Sequence, residues 1–342
     1  MIPTQYRLFL AGSLALASSG CTQSRAPLPR APIQESVQVY SADLDGDGLP
    51  EILAVQDDAI YWGNHTYIYK GGIHAFTTGD LDGDGREELV LGMGRSRTAP
   101  KATPSLLVID NDEARVESLD MPHHRITDLQ FGSEGLYITV LDRNKSAVGG
   151  WWTSTGLRER SSGAMALTQA PLSDGKTALG CLYGEEPRSH GGLFIQQSDG
   201  TKTQLPSLRG VRTLVTADIN TDGHLDLITG DGWHYRYGAE ATARLNLYLG
   251  PDFSDHRVIG EIPNNYTINQ IEVVQADGQG PLEIVALGTS SLVLFKSDRL
   301  GWTQTSLGAA NEKARVAVGR SEALAWVGIP GKQTKVTQIL QP

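Results

Sequence analysis

Nine residues, Asp43-Leu44-Asp45-Gly46-Asp47-Gly48-Leu49-Pro50-Glu51, constrain this chain more than any other segment. They set side-chain oxygens at loop positions 1, 3, 5 and 9 and a glycine at position 6. A hard cation such as Ca²⁺ takes about 6–8 oxygens at about 2.3–2.6 Å. The i, i+2, i+4 spacing lets a tightly coiled loop turn Asp43, Asp45 and Asp47 inward. Gly48 supplies the positive φ that closes the turn, and Glu51 returns from the next element to complete the shell. Val37 to Tyr40 and Ile52 to Val55 read as short strands, so the unit is strand, cation loop, strand.

The loop recurs. Asp80, Asp82, Asp84 and Glu88 repeat it ahead of the strand Leu89 to Gly92. Asp218, Asn220, Asp222 and Asp226 form a third copy, with a neutral amide at position 3 and Leu227-Ile228 behind it. A fourth, Gln275 to Glu283, keeps Asp277, Gly280 and Glu283 but has glutamine at positions 1 and 5. Three Asp-rich copies, each followed by an apolar strand, argue for metal rather than for ordinary Asp/Gly turns. Three further units keep the frame without the set of ligand acids. Leu167 to Gly180 aligns without gaps on Val215 to Ile228, with Ala170 and Ala178 in place of Asp218 and Asp226. At Leu129 to Ile138 and Val316 to Trp326 the loop shrinks to a tight hairpin. The units start near residues 37, 74, 126, 165, 212, 269 and 314, a spacing that suits four strands per propeller blade.

Loop and flanking strands together resemble the FG-GAP/VCBS repeat, the blade of integrin α-subunit propellers and of many bacterial surface proteins. The resemblance covers residues 36–342 and implies an all-β, seven-bladed β-propeller with calcium loops between the first two strands of some blades. It places the Ca²⁺ ligands on Asp43, Asp45, Asp47 and Glu51, then Asp80, Asp82, Asp84 and Glu88, then Asp218, Asn220, Asp222 and Asp226. It adds the position-7 backbone carbonyls of Leu49, Arg86 and His224.

Bulk properties agree with that reading. A hydrophobic content of 39% and 39 glycines suit a turn-dense β chain of 342 residues that closes into one domain. The formal charge is −10, but 11 acidic side chains are loop ligands, and three divalent ions would bring it to about −4. The acidity therefore gives no reason to expect a basic partner, and no dense Lys/Arg tract points to nucleic acid.

Residues 1–21 stand apart. Arg7 precedes an apolar run, Leu8 to Ala17, of signal-peptide length and too short to span a membrane. It ends at Ser18-Ser19-Gly20-Cys21, which resembles a bacterial lipobox with serine in place of the usual leucine. That implies a lipoprotein acylated on Cys21 with more than one chain, the level needed for stable anchoring. Thr22 after the cysteine implies the outer membrane of the cell envelope. Residues 22–35, with Pro27, Pro29 and Pro32, read as an extended tether. Cys181, in a strand-like run, reads as a buried and inert core cysteine.

By the same resemblance, the second-to-third-strand loops lie on the face opposite the calcium loops. Four are long and carry cations and aromatics: Gly92 to Ser105 (Arg95, Arg97, Lys101), Asp142 to Gly150 followed by Trp151 and Trp152, Tyr183 to Gly192 (Arg188), and Gly230 to Arg244 (Trp233, Tyr235, Arg236). Tyr, Trp and Arg dominate interface hot spots, so this cluster is the expected recognition face for an envelope protein or a glycan. No nucleophile elbow or phosphate loop is present, and the paired acids are taken by the metal loops. A non-catalytic binding or scaffolding module is expected. The alternative is a carbohydrate-active protein on the same fold, a lectin or a polysaccharide lyase.

Overall fold

The computed structural model describes residues 37–46, 51–56, 59–62, 65–69, 72–95, 99–111, 113–119, 121, 124–132, 135–141, 146–153, 156–164, 166–182, 191–207, 209–232, 242–274, 282–298, 301–309, 315–318, 324–328 and 335–338. The signal and tether segments read from the sequence lie outside these. Among the described residues, apart from one 3-10 turn, Ser173–Gly175, the regular elements are all β-strands, paired antiparallel. Among the described residues no helix is long and apolar enough to cross a membrane.

The strands form successive meanders. The first is β1 (Val37–Ala42), β2 (Glu51–Gln56), β3 (Ala59–Trp62) and β4 (His65–Ile68). The second is β5 (Gly72–Gly79), β6 (Glu88–Gly94), β7 (Ser105–Asp110) and β8 (Glu113–Ser118). It joins β9 (Arg125–Gly132), β10 (Gly135–Leu141), β11 (Ser146–Thr153) and β12 (Gly156–Ala164) through the pair Gly94–Arg125, making an eight-stranded sheet. Next come β13 (Ala166–Pro171), β14 (Thr177–Cys181), β15 (Leu193–Gln196) and β16 (Lys202–Leu205). Then follow β17 (Gly210–Ala217), β18 (Asp226–Gly232), β19 (Thr242–Tyr248) and β20 (His256–Pro263). After them run β21 (Ile268–Val274), β22 (Glu283–Gly288), β23 (Ser291–Asp298) and β24 (Gly301–Ala309). A three-stranded sheet closes the order: β25 (Arg315–Val318), β26 (Leu324–Gly328) and β27 (Lys335–Gln338). Each meander begins within two residues of a unit start read from the repeats.

The leading strands touch in sequence order, β1 to β5, β9, β13, β17, β21 and β25, and β25 touches β1. Burial grades outward from that ring. Every residue of β6, β14, β18 and β22 is buried, whereas β8 and β24 are largely exposed. The sequence carries the reason. Glu88-Leu-Val-Leu-Gly-Met-Gly is an almost unbroken apolar run, which suits a strand covered on both faces. Side chains alternate across a strand, so one strand serves two neighbours. Leu89 and Leu91 of β6 join Tyr40, Leu53 and Ile60 of the first meander, while Val90 joins Ile126, Leu136 and Ile138 of the third. Leu227 and Ile228 of β18 divide in the same way between two core layers. Each such side chain stabilises by about 1.5–3 kcal/mol when fully buried. Close approach between meanders needs small residues. A Cβ on Gly92 would lie 2.5 Å from Ile126 Cγ2, and one on Gly230 would lie 2.6 Å from Ile268 Cβ.

Two readings of the sequence need correction. The segment from Asp142 to Gly150 is not one loop, because β11 begins at Ser146 and carries Trp151 and Trp152 as strand residues. Trp151 is buried edge-on to Tyr137 at 5.2 Å, and Trp152 Nε1 donates to Glu117 Oε2 at 2.9 Å, so neither is a loop aromatic. The gapless alignment of Leu167 to Gly180 on the metal-type loop also slips by one residue. Ala170 pairs with Ala178 inside the ladder, while Ala217, the residue before Asp218, already pairs with Asp226. Without carboxylates to hold outside it, the strand pair zips one step further.

Candidate metal centres and channel

The three Asp-rich loops join β1 to β2, β5 to β6 and β17 to β18 at one end of the meanders. Their last acid is the first residue of a second strand, where Glu88 is 1% and Asp226 0% exposed and Glu51 is half-buried. In all three loops this acid accepts the N–H of loop position 2. Leu44 N donates to Glu51 at 2.8 Å, Leu81 N to Glu88 at 2.5 Å, and Ile219 N to Asp226 at 2.9 Å. The loop acids curl the rest of the turn. Asp80 accepts from Gly83 N (2.6 Å) and Gly85 N (3.0 Å), Asp82 from Asp84 N (3.1 Å), and Asp84 from Arg86 N (2.9 Å). The third loop repeats the scheme: Asp218 accepts from Gly223 N (2.9 Å), Asn220 from Asp222 N (3.0 Å) and Asp222 from His224 N (2.8 Å).

Two positions, not one, require left-handed backbone. Position 6 does so in Gly85 (φ +92°) and Gly223 (φ +87°), as the glycine pattern predicts. Position 4 does so as well, in Gly46 (φ +73°), Gly83 (φ +85°) and the non-glycine Thr221 (φ +59°). Held this way, Asp43, Asp45 and Glu51 bring ligand oxygens within 4.8 Å of one another, and so do Asp80, Asp82 and Asp84. Two oxygens on opposite sides of a Ca²⁺ ion are about 5 Å apart, so these sets fit a hard divalent cation. Among the described residues the third loop does not bring three acidic oxygens within that distance, and Asn220 Nδ2 is turned toward Asp222 Oδ2 at 2.9 Å.

Several participants were not read from the sequence. Asp110, at the end of β7, converges with Asp82 and Glu88. Glu87 ties the first two loops together: its N–H donates to Asp43 O at 3.0 Å and its carboxylate accepts from Asp43 N at 3.3 Å. Arg86, expected to offer only its carbonyl, forms a close guanidinium pair with Asp84 and lies 3.9 Å from Asp110. That pair holds Asp84 below the usual carboxylate range, chiefly through the side-chain bond from Arg86. Burial pushes Glu88 up, and the charges of Asp82 and Asp110 push in the same direction, so a cation at this loop would relieve both.

The fourth loop has a different answer to the same problem. Residues 275–281 lie outside the described set, but its last acid, Glu283, is 4% exposed and forms a close ion pair with Lys296 of β23. Glu283 and Lys296 sit one step beyond the paired Ile284 and Phe295, and Glu88 and Asp110 one step beyond Leu89 and Ile109. The acid faces another acid in the second meander and a tethered ammonium in the sixth.

Other sequence-read residues fall outside the description: Cys21, Asp47, Leu49, Arg97, Arg188, Trp233, Tyr235 and Arg236. Arg95 is described, half-buried just beyond β6, with its carbonyl accepting from His74 Nε2 at 2.9 Å. Cys181 is buried on β14 and its thiol is pushed up to about 11 by that burial, which suits an inert core residue.

The leading strands β5, β9, β13, β17 and β21 surround a polar channel of about 440 Å³. Asp128 of β9 braces its wall. One carboxylate oxygen accepts from Thr168 Oγ1 of β13 (2.6 Å), Gln130 Nε2 (2.9 Å) and Gln169 N (3.2 Å), while Gln130 reaches on to Leu214 O of β17 at 2.8 Å. Burial nonetheless pushes Asp128 up to about 6, the hydrogen bonds offsetting only part of the desolvation.

No family model matches the sequence, and no curated protein matches it. Solved structures do. A chain in the Crystal Structure of Mitotic Checkpoint Complex superposes with a TM-score of 0.53 at 11% identity, covering 94% of this chain and 96% of that one. The Streptogramin B lyase structure also gives 0.53 at 11% identity, covering 87% and 92%. Both are β-propellers, so this chain has a fold of the β-propeller type. At such identities the likeness concerns fold alone.

Asp128 generates a pH prediction. Its folded pKa lies above the value of about 3.9 for an unfolded aspartate, so the native state holds the extra proton. The stability it contributes is therefore present at about pH 4 and lost as pH rises to about 6. Asp128→Asn keeps an acceptor for the three donors and removes the titration. Melts from pH 4 to 8 should show a flatter profile for the variant and about 1–3 kcal/mol more stability at pH 8. Parallel profiles for the two proteins would show that the group carries no such linkage.

Proposed function

We propose that this chain is a calcium-stabilised, seven-bladed propeller of the FG-GAP/VCBS type, serving as a non-catalytic binding or scaffolding module at the bacterial cell envelope. The observation that carries the reading is the bond from loop position 2 to the last acid, repeated at Leu44, Leu81 and Ile219. One hydrogen-bond scheme in three loops supports one ligand scheme, with Ca²⁺ held by the acids of each loop, by Asn220 in the third and by the position-7 carbonyls. Lys296 supports it from the other side, since a fixed cation meets the last acid where the loop has glutamine in place of the acids at positions 1 and 5. The closed run of leading strands supports seven blades, the seventh having three strands in sequence order.

Attachment through acylated Cys21, at the outer membrane, rests on the apolar run that ends at the lipobox-like segment. The recognition face is the one away from the acidic loops, where the long second-to-third-strand loops offer arginines and aromatics to an envelope protein or a glycan. The likeness to a lyase brings no catalytic residue to this chain and leaves the binding reading in place.

Extracellular calcium modules bind at about 10⁻⁴–10⁻³ M. With about 1 mM Ca²⁺ and a Kd of about 0.1 mM, each site stabilises by about 1.4 kcal/mol, and three by about 4. Chelator should lower the melting temperature by several degrees, and Asp82→Ala should shrink that response by removing one site's share. An unchanged melt in chelator would refute calcium stabilisation. For the recognition face, replacing Trp233, Tyr235 and Arg236 together with alanine should abolish capture of an envelope component while leaving the melt nearly unchanged. Capture that survives this change and disappears on altering the calcium loops would put the recognition face on the wrong side.

A further inference from the structure

We propose that the end of the channel facing away from the acidic loops is an oxyanion site, in which Arg125, with Arg95 beside it, receives the carboxylate or phosphate of a small molecule. The inference deepens the reading of the protein as a binding module, and rests on it, by naming what the channel itself takes.

Arg125 is the first residue of β9 and lines the cavity from that end. Its position is forced by the junction of two meanders. Gly94, the last residue of β6, pairs with Arg125, and a Cβ on Gly94 would lie 2.6 Å from Arg125 Cα. That close approach sets Arg95, the next residue, beside Arg125. Two half-buried guanidinium groups are thus held together. Both influences on Arg125 disfavour its charge: burial first, then the like charge of Arg95. Its Nε is buried without a hydrogen-bond partner. Across the same cavity and near the same end, Asn269 of β21 presents a second buried donor, Nδ2, also without a partner. Arg212, near the start of β17, and His74 of β5 line this end as well.

The acids of the channel lie deeper. Asp128 is three residues further along β9, about 10 Å at the rise of a strand, and its carboxylate is engaged by Thr168, Gln130 and Gln169. Glu272 accepts from Gln270 at 2.7 Å, four residues into β21. A buried cation next to a like charge is costly unless an anion pairs with it. The Arg125 guanidinium and the Asn269 amide N–H line one pocket, and such donors match the flat, multi-oxygen face of a carboxylate or phosphate. A cavity of about 440 Å³ is in the size range of small-molecule sites.

The probes are glucuronate and glucose 6-phosphate, with glucose as the neutral control, titrated calorimetrically into the full chain in the presence of Ca²⁺. At least one of the acids should bind saturably in the millimolar range or tighter, and glucose should not. Arg125→Gln should weaken that binding by about tenfold or more with no loss of melting temperature, since it also removes a buried like-charge contact. Arg125→Lys should retain part of the affinity, and added salt should weaken it. The two acids tell which oxyanion is preferred. Absence of saturable binding by both, equal binding of glucose, or an Arg125→Gln variant that folds and binds as well as the parent would overturn the proposal. If Arg125→Gln does not fold, Arg95→Gln serves the same purpose with the same expected direction. Capture of an envelope component that persists when neither acid binds would sink the oxyanion site and leave the binding-module reading standing.

Discussion

A carboxylate at the start of a second strand, accepting the N–H of loop position 2, is the interaction on which the rest of this molecule leans. Glu51, Glu88 and Asp226 each stand where a strand begins and a polar loop ends. The bond fixes how far the loop may coil before the ladder starts, and so sets the register between the first and second strands. Because residues of β6 alternate between two core layers, an error of one residue would turn Leu89 and Leu91 toward the wrong neighbour. The loop acids are in this sense part of the packing. Where they are lost, as at Ala170 and Ala178, the ladder extends by one pair and a 3-10 turn closes it.

The same carboxylates cannot stand unopposed. Burial raises the cost of charge on Glu88 and Asp226, and neighbouring acids add to it. The chain answers with fixed cations where it can: Arg86 on Asp84, and Lys296 on Glu283. In the proposed reading, metal answers where it cannot. In that reading the acidic rim takes cations at one end, and the proposed oxyanion site around Arg125 lies at the other. The two ends meet in a channel whose wall is braced by Asp128 and Gln130.

Much of this was legible in the sequence. The recurring Asp-x-Asp pattern located the loops, and each unit start lay within two residues of a leading strand. Local signals did this, because loop geometry and strand periodicity are encoded in neighbouring residues. What was missed depends on register. Asp110 and Lys296 are informative because of what they face across the sheet, and that partner is named only once the strands are aligned. Glu87 matters through Asp43, far away in sequence. Trp151 and Trp152, grouped in the sequence with the loop before them, are strand residues of β11, as are the two glycines that precede them. Thr221 in the left-handed region could have been suspected from its alignment with Gly46 and Gly83, and was not. The arginine pair at the channel came from the Gly94–Arg125 contact, which joins two repeats and belongs to neither.

The central claim is that the loops are built around a divalent ion. Calorimetric titration of the metal-stripped full chain with Ca²⁺ tests it most directly. The account predicts saturable binding of about three ions per chain, with Mg²⁺ unable to replace them because it demands a tighter, near-octahedral shell. No saturable uptake of Ca²⁺ by a folded chain would contradict it.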